Sequence, residues 1–526
     1  MGLLDFTTHT STPDPPFAVR ASRWATSLEF DDVPTAVRRA ARAQRASTLG
    51  AAVWSTTHPL GQQIAETVVE EAASGRATLL GGASLGPADA AAGNAALSMA
   101  QDFDGTILGG HTGHSTVWTA LADAEAAGAS PERALLAQVG ANELAARVAS
   151  AAAIGPFRGQ QTAYVHAVGA AVARAIVAGD DAETLADAIG LALAQPPWPL
   201  DDAFFGSDAK VCLASEPIRT GLRALSAARH GHRGSPTVLE GDGGFLDAFA
   251  TVSLPEFLGD LGARWHTRAV TVKAVPGCAY VTGPVEAARR VATHADVDPD
   301  AIAEVTVEGS LFATEVNDRA TPYLDGADSP LSALTFTIPY NVAVALIDGE
   351  HTPRQLRPER VADPAVWSLA ERVSVEHGEE FTMAALDSAV PIGAMLRRVG
   401  LPVLPYAAKS VGVGTTLRHL PTLCRYVRKR PLPTDLAGAA KRMGARVTVE
   451  TAEGHAYAAE VAHPTGFAGQ PLEDICDVAA AKYRDGLLAC GFDREEATRR
   501  SRVQISQSAS DGADDHTVSL PDLGVA

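Results

Sequence analysis

The residues with the most chemical capacity lie between Asn94 and Gly128, in NAALSMAQDFDGTILGGHTGHSTVWTALADAEAAG. Two carboxylates, Asp102 and Asp104, flank a phenylalanine. A short glycine-bearing loop then leads to His111 and His114, which open an alanine-rich helix. Helical runs on both sides put these groups at a helix–loop–helix junction, where the first free N–H groups of the second helix favour an anion. A histidine there can change its charge near neutral pH. The expected chemistry is proton transfer on a bound carboxylate. The plainer alternative is that the aspartates cap helix ends and the histidines are solvated. His111 and His114 with Asp102 and Asp104 could also be metal ligands, but HxxH on a loop is a weak signature and no metal is expected.

A second set of candidates follows. Lys210 starts a helix after the Pro- and aromatic-rich stretch AQPPWPLDDAFFGSDAK, and Lys273 ends a strand before the turn AVPGC. Long cations at element ends among apolar neighbours can have lowered pKa values and act as proton carriers or carboxylate anchors. Their alternative is a solvated tip. Cys278 follows Pro276-Gly277, where a buried structural thiol is the competing reading. Tyr340 follows Pro339 and is read either as a substrate contact or as core. Trp198, with Phe204 and Phe205, is expected on a loop, either exposed or facing a lid.

The elements that must position these groups are mostly helices. Of 526 residues 46% are apolar and only 6% aromatic, so alanine dominates the core and helix propensity is high. Helical patterns cover about 18–73, 131–151, 163–195 and 214–230, and long helices apolar on most sides are buried ones. The period changes after Trp265. RAVTVK (268–273), IAEVTVE (302–308) and RVSVE (372–376) alternate like strands. ARVTVETAEGHAYAAEVAH (445–463) reads as a hairpin turning at Ala452-Glu453-Gly454. Between the strands, 281–294 and 337–346 are helical. The expected architecture is mostly α: a helical domain over 1–265, a smaller inserted α+β lid over 266–466, and C-terminal helices from 467 returning to the first domain. Residues 384–440, rich in Pro, Leu and Arg, are expected to form extra helices or a surface excursion. Residues 1–15 read as a loose arm, and the tail after about 507 as disordered.

A net charge of −19 argues against a nucleic-acid partner, since phosphate binding needs clustered Lys and Arg. The longest basic run, RYVRKR (425–430), reads as a solvated helix face. An acidic chain that binds an anion needs a local cationic pocket, which gives weight to isolated lysines in apolar context. Five scattered cysteines without CxxC fit a reducing cytoplasm. Neither a signal peptide nor a membrane span is expected.

Taken together, DFDGT, HTGHSTVWTALADAEAAG, ANELAARVA, VGAAVARAIVAG, VLEGDGGFLDAFA and VKAVPGCAYVTGPVEAA resemble the MmgE/PrpD family in their order and spacing. The family includes 2-methylcitrate dehydratase, cis-aconitate decarboxylase and iminodisuccinate epimerase activities. The resemblance runs over about 19–381 and resumes over 445–484. It implies a helical domain, an α+β lid, an active site in the cleft between them, and homodimers. Asp102, Asp104, Thr106 and His111 fall on the family's Asp, Asp, Thr and His. Lys210 falls on its lysine before the helix, Lys273 on its lid lysine and Cys278 on its Pro-x-Cys cysteine. Three positions depart from the pattern: Gly105 replaces an aspartate, and Gln160 and Leu213 replace histidines.

The resemblance implies a cofactor-independent lyase or isomerase acting by proton transfer next to a carbonyl or carboxyl group, with dehydration or double-bond chemistry ahead of decarboxylation and epimerisation. Lys273 or His111 is the expected proton carrier. Lys210 and the helix start would stabilise an enolate-like charge, and Asp102 would orient His111 or a water. Asp104, Thr106, His114, Gln160, Trp198, Cys278 and Tyr340 would line the substrate, a small carboxylate or carbonyl compound. Two alternatives stay open: a cyclase or isomerase redirected to a larger, less charged substrate in specialised metabolism, and a non-catalytic metabolite-binding relative.

Overall fold

The computed structural model describes residues 14–155, 163–295, 297–425, 433–506, 520 and 523. Gln160, nearly all of the N-terminal arm and all but two positions of the expected disordered tail lie outside the described residues.

The centre of the helical half is the helix Gly113–Ala127, buried continuously from Gly113 to Ala124. It packs against Pro87–Met99, Pro131–Ala151 and Val165–Ala178. Alanine and glycine at the contacts let the axes approach closely. At Gly140, for example, a Cβ would come within 2.4 Å of the Ile176 side chain. Thr35–Ser55 runs alongside, and the C-terminal helix Leu472–Ala489 lies along it so closely that a Cβ at Gly50 would meet Lys482 Cγ at 2.8 Å.

Four of the strands after Trp265 form a sheet in the order Val373–His377, Ile302–Gly309, Ala445–Thr451, Ala456–Val461. The first pair is parallel and the other two are antiparallel. Ile302, Val305 and Val307 are buried, and the helix Ala279–Ala295 packs across the sheet with Ile338–Asp348 beyond it. The hairpin turns at Gly454, whose φ of +83° suits glycine.

RAVTVK differs from its expected role. Only Val270–Thr271 is extended, and it pairs with Thr106–Ile107 of the helical half instead of joining the sheet. Val270 and Val272 are buried with Ile107, Ala146 and Ile475, so this alternation records burial between the halves. The crossing just before it is locked by Glu143. One carboxylate oxygen accepts from Thr267 N (2.8 Å) and Thr267 Oγ1 (2.7 Å), the other from His266 N (2.9 Å) and Arg147 (2.6 Å). A buried carboxylate satisfied on both oxygens fixes the direction in which the chain leaves toward Lys273.

Residues 384–440 contain the helices Ile392–Val399, Val403–Arg418 and Leu420–Cys424, the second broken at Gly412. Ala394, Met395, Val399 and Val403 are buried in the core of the helical half. Val390, Leu436 and Ala439 enclose Leu108, in the loop between the aspartates and the histidines. The Pro- and aromatic-rich stretch also differs from expectation, since Asp201–Gly206 forms a short helix. Its three prolines all precede Leu200, leaving Asp201 and Asp202 to start the turn where acidic groups suit the helix dipole. Among the described residues no helix is long and apolar enough to cross a membrane.

Candidate active site

The helix Pro87–Met99 ends just before the loop, and Asp102 takes a positive φ of 49°, a conformation aspartate tolerates better than most residues. Its amide still donates to Met99 O (3.0 Å). A tight turn with reciprocal Ile107–Gly110 hydrogen bonds (2.9 and 3.0 Å) then returns the chain toward His111. Thr106 and Ile107 pair with Thr271 and Val270, joining the loop to the lid as one backbone unit. This pairing accounts for Gly105, because a Cβ there would lie 2.4 Å from Thr271 O.

The two aspartates face different partners. Asp102 Oδ1 lies 3.5 Å from Lys210 Nζ and 3.4 Å from Lys273 Nζ. Asp104 Oδ2 lies 2.8 Å from His111 Nδ1 and 3.1 Å from His114 Nε2, and its Oδ1 lies 3.6 Å from Lys273 Nζ. Asp104 therefore holds the histidines, whereas Asp102, expected to orient His111 or a water, lies against the two lysines. Lys273 bridges both carboxylates and also donates to the carbonyls of Asp102 and Gly277.

Burial would raise both carboxyl pKa values, but the neighbouring cations outweigh it. Lys210 and then Lys273 hold Asp102 below its ordinary range; His114, His111 and Lys273 hold Asp104 well below it. Burial lowers Lys210, with Asp102 opposing. For Lys273 burial acts in the same direction, yet Asp102 and Asp104 prevail and raise it. Lys273 is thus an ammonium that can donate a proton or stabilise negative charge, unlike the lowered-pKa lysine expected there.

His114 is the inner histidine and fully buried, whereas His111 is a quarter exposed. Ser98 Oγ lies 2.9 Å from Ala95 O, accepts from Trp118 Nε1 (3.1 Å) and lies 2.7 Å from His114 Nδ1. With the hydroxyl proton given to Ala95, Nδ1 of His114 is the donor, and its Nε2 faces Asp104 without a hydrogen-bond partner among the described residues. His166, not singled out in the sequence, stands edge-on to His114 with ring centroids 5.6 Å apart. Burial keeps it neutral at ordinary pH, and its Nε2 has no partner among the described residues. Asp102 Oδ2 and Asp104 Oδ1 also lack hydrogen-bond partners. Such unsatisfied buried atoms mark where a ligand's polar groups would sit.

Two further lysines reach the same loop. Lys441 Nζ donates to Thr106 Oγ1 (3.0 Å). Lys482 Nζ donates to Ser47 Oγ (2.9 Å) and to Phe103 O, and lies 3.8 Å from the Phe103 ring centroid. The chain has only six lysines among its 43 basic residues, and four of them converge on residues 102–106. That scarcity is the sequence signal for both missed residues: where arginine supplies nearly every cation, a lysine marks a place that needs a compact or titratable one.

Other expected site residues are placed as follows. Cys278 donates its amide to Thr335 O (2.8 Å) beside Lys210 and Lys273, and burial pushes its thiol up to about 11. Phe204 and Phe336 wall Lys210, with Nζ 5.7 and 4.7 Å from their ring centroids. Trp198 is 52% exposed and packs edge-on against Phe249, a core residue of the helical half, rather than with Lys210. Tyr340 is core: its hydroxyl donates to Gln355 O (2.6 Å) beneath Trp367. Tyr340→Phe is expected to lower stability by about 1–2 kcal/mol and leave turnover unchanged, as thermal denaturation and initial rates would show. The start of Gly113–Ala127 is packed against Thr48, where a Cβ on Gly113 would lie 2.7 Å from Thr48 Oγ1.

Asp104, His111 and His114 bring donor atoms within 4.8 Å of one another, a set compatible with a metal ion. Lys273 Nζ lies 3.6 Å from the same carboxylate. The Lys273 ammonium already occupies that carboxylate, so a divalent cation would enter against its charge. Dialysis against a strong chelator is expected to leave activity and melting temperature unchanged, which rates before and after zinc addition would check.

The fold is mostly helical with a small sheet domain, and carboxylates, imidazoles and lysines gather where Thr106–Ile107 pairs with Val270–Thr271. Residues 19–258 match the MmgE/PrpD N-terminal domain and residues 275–398 the MmgE/PrpD C-terminal domain, and the chain belongs to the MmgE/PrpD family. It is similar to a cis-aconitate decarboxylase of Aspergillus terreus (strain NIH 2624 / FGSC A1156), 25% identical over 391 residues covering 68% of this chain and 78% of that protein. A second cis-aconitate decarboxylase of Aspergillus terreus is 24% identical over the same shares.

Proposed function

We propose that the protein is a cofactor-independent lyase that moves a proton at a carbon next to a carboxyl or carbonyl group of a small anionic substrate. The observation that carries this reading is Lys273, an ammonium from the lid held between two carboxylates of the helical half. An imidazole of the cluster takes the proton from carbon, and the electron pair moves into the adjacent carboxyl or carbonyl. The ammonium groups of Lys273 and Lys210 stabilise the resulting enolate-like charge in surroundings of low dielectric. Collapse of that charge expels a leaving group from the neighbouring carbon, or the carbon is reprotonated. The same stabilisation serves loss of carbon dioxide, the reaction named for the Aspergillus relatives. Lys210, Lys273 and Lys441 gathered around two carboxylates favour an anionic substrate and weigh against a larger, less charged one.

The test is incubation with cis-aconitate and other small polycarboxylates in deuterated buffer, followed by proton NMR. Deuterium entering a carbon-bound position, with loss of water or carbon dioxide, is the expected result. A panel in which every substrate keeps its protons and its carbon skeleton would overturn the reading.

A further inference from the structure

Lys441 stands at the base of the excursion over 384–440. The amides of Ala389 and Val390 both donate to Ala440 O (3.1 and 3.2 Å), closing the excursion, and Lys441 N donates to Ala468 O (2.8 Å). Gly469 packs on the same point, where a Cβ would lie 2.4 Å from Ala440 Cα. The backbone beneath Lys441 is therefore held from two sides. Its side chain is 3% exposed and runs past the Phe467 ring to Thr106 Oγ1.

What distinguishes Lys441 from its neighbours is its partner. Lys210 and Lys273 are paired with Asp102 and Asp104, and Lys482 is taken up by Ser47, the Phe103 carbonyl and the Phe103 ring. Among the described residues Lys441 meets one neutral hydroxyl and the Phe467 ring and has no carboxylate within ion-pair distance. A buried ammonium satisfied by a single hydroxyl is costly unless an anion completes it.

We propose that Lys441 and Thr106 form a carboxylate subsite, separate from the groups that move the proton, which binds a carboxylate of the substrate and sets its orientation. Lys441 is thus a specificity-determining residue at the base of the excursion. This rests on the reading that the cluster takes an anionic substrate. Lys273, Cys278, Asp104 and Asp102 are the titratable groups facing Lys441. Burial, and next the charge of Lys273, bring its pKa down to about 8. An anion held by the ammonium is therefore released as pH rises through that value.

The experiment is calorimetric titration of the full-length chain with malonate, succinate and citrate. The comparison set is the unaltered chain, Lys441→Met, Lys441→Arg, and Lys409→Met as a control at an exposed lysine. The expected result is a dissociation constant weakened roughly 10- to 100-fold in Lys441→Met and unchanged in Lys409→Met. The unaltered chain should bind more weakly above about pH 8, and Lys441→Arg, if it binds, should lack that pH dependence because guanidinium stays charged. Equal affinity in a folded Lys441→Met, or failure of the unaltered chain to bind any of the three anions, would overturn the subsite. Should Lys441→Met not fold, a flat pH profile in the unaltered chain would overturn it alone. Turnover without the proton exchange described above would sink the catalytic reading and leave this result standing.

Discussion

Lys273→Met is expected to lower turnover by on the order of 10³-fold or more, since in the proposed reaction it removes both a proton donor and the buried positive charge that stabilises the enolate-like state. The same change leaves Asp102 and Asp104 buried with their bridging cation gone. Breaking such a contact from one side costs about 3–5 kcal/mol. Because the folded pKa of Lys273 is raised, its stabilisation is fully present below the unfolded value and is lost only as pH rises through the folded one. Across the neutral range the loss of stability should therefore be constant. Rates and thermal denaturation on the same sample separate the two effects. A folded Lys273→Met protein keeping more than a tenth of the original turnover would remove Lys273 from the chemistry. Lys273→Arg is expected not to rescue, because a planar fork cannot take the place of a compact ammonium between Asp102, Asp104 and the two backbone carbonyls.

Asp104→Asn should have the second largest effect, with turnover falling roughly 10²- to 10³-fold. The amide cannot supply the negative charge that faces both imidazoles, and one side of it presents N–H groups where acceptors are needed. The folded pKa of Asp104 is depressed, so its stabilising contribution is present above the unfolded carboxyl value near 4 and is lost as pH falls through the folded value. The unaltered protein should therefore lose stability toward acid more steeply than Asp104→Asn, and their melting temperatures should converge at low pH. Parallel curves from pH 7 to pH 3 would mean that Asp104 is not the charged partner of His111 and His114.

These two residues also show how far the sequence reads. DFDGT, the paired histidines and the lysines at 210 and 273 were visible as chemistry-bearing types in apolar settings. The helices and the hairpin at Gly454 follow from local periodicity. Which carboxylate meets which partner did not follow. The left-handed turn at Asp102 and the two-residue pairing of Thr106–Ile107 with Val270–Thr271 rotate Asp104 toward the histidines and Asp102 toward the lysines. Tyr340 resembled a site residue only through its neighbourhood in sequence, and its hydroxyl is used up inside the lid.

By itself, the sequence determined a helix-rich chain with a strand-bearing insertion, an aspartate–histidine loop, and a scarcity of lysine that makes each lysine informative. Local propensity and residue chemistry suffice for these, because they depend on neighbours a few positions away. Only the tertiary structure decided that His166, Lys441 and Lys482 join that loop, and that the excursion over 384–440 packs on it. Lys441 and Thr106 lie 335 positions apart and Lys482 and Phe103 379 apart. A cluster assembled over such separations is set by how the two halves bury their faces against each other, which no local pattern encodes.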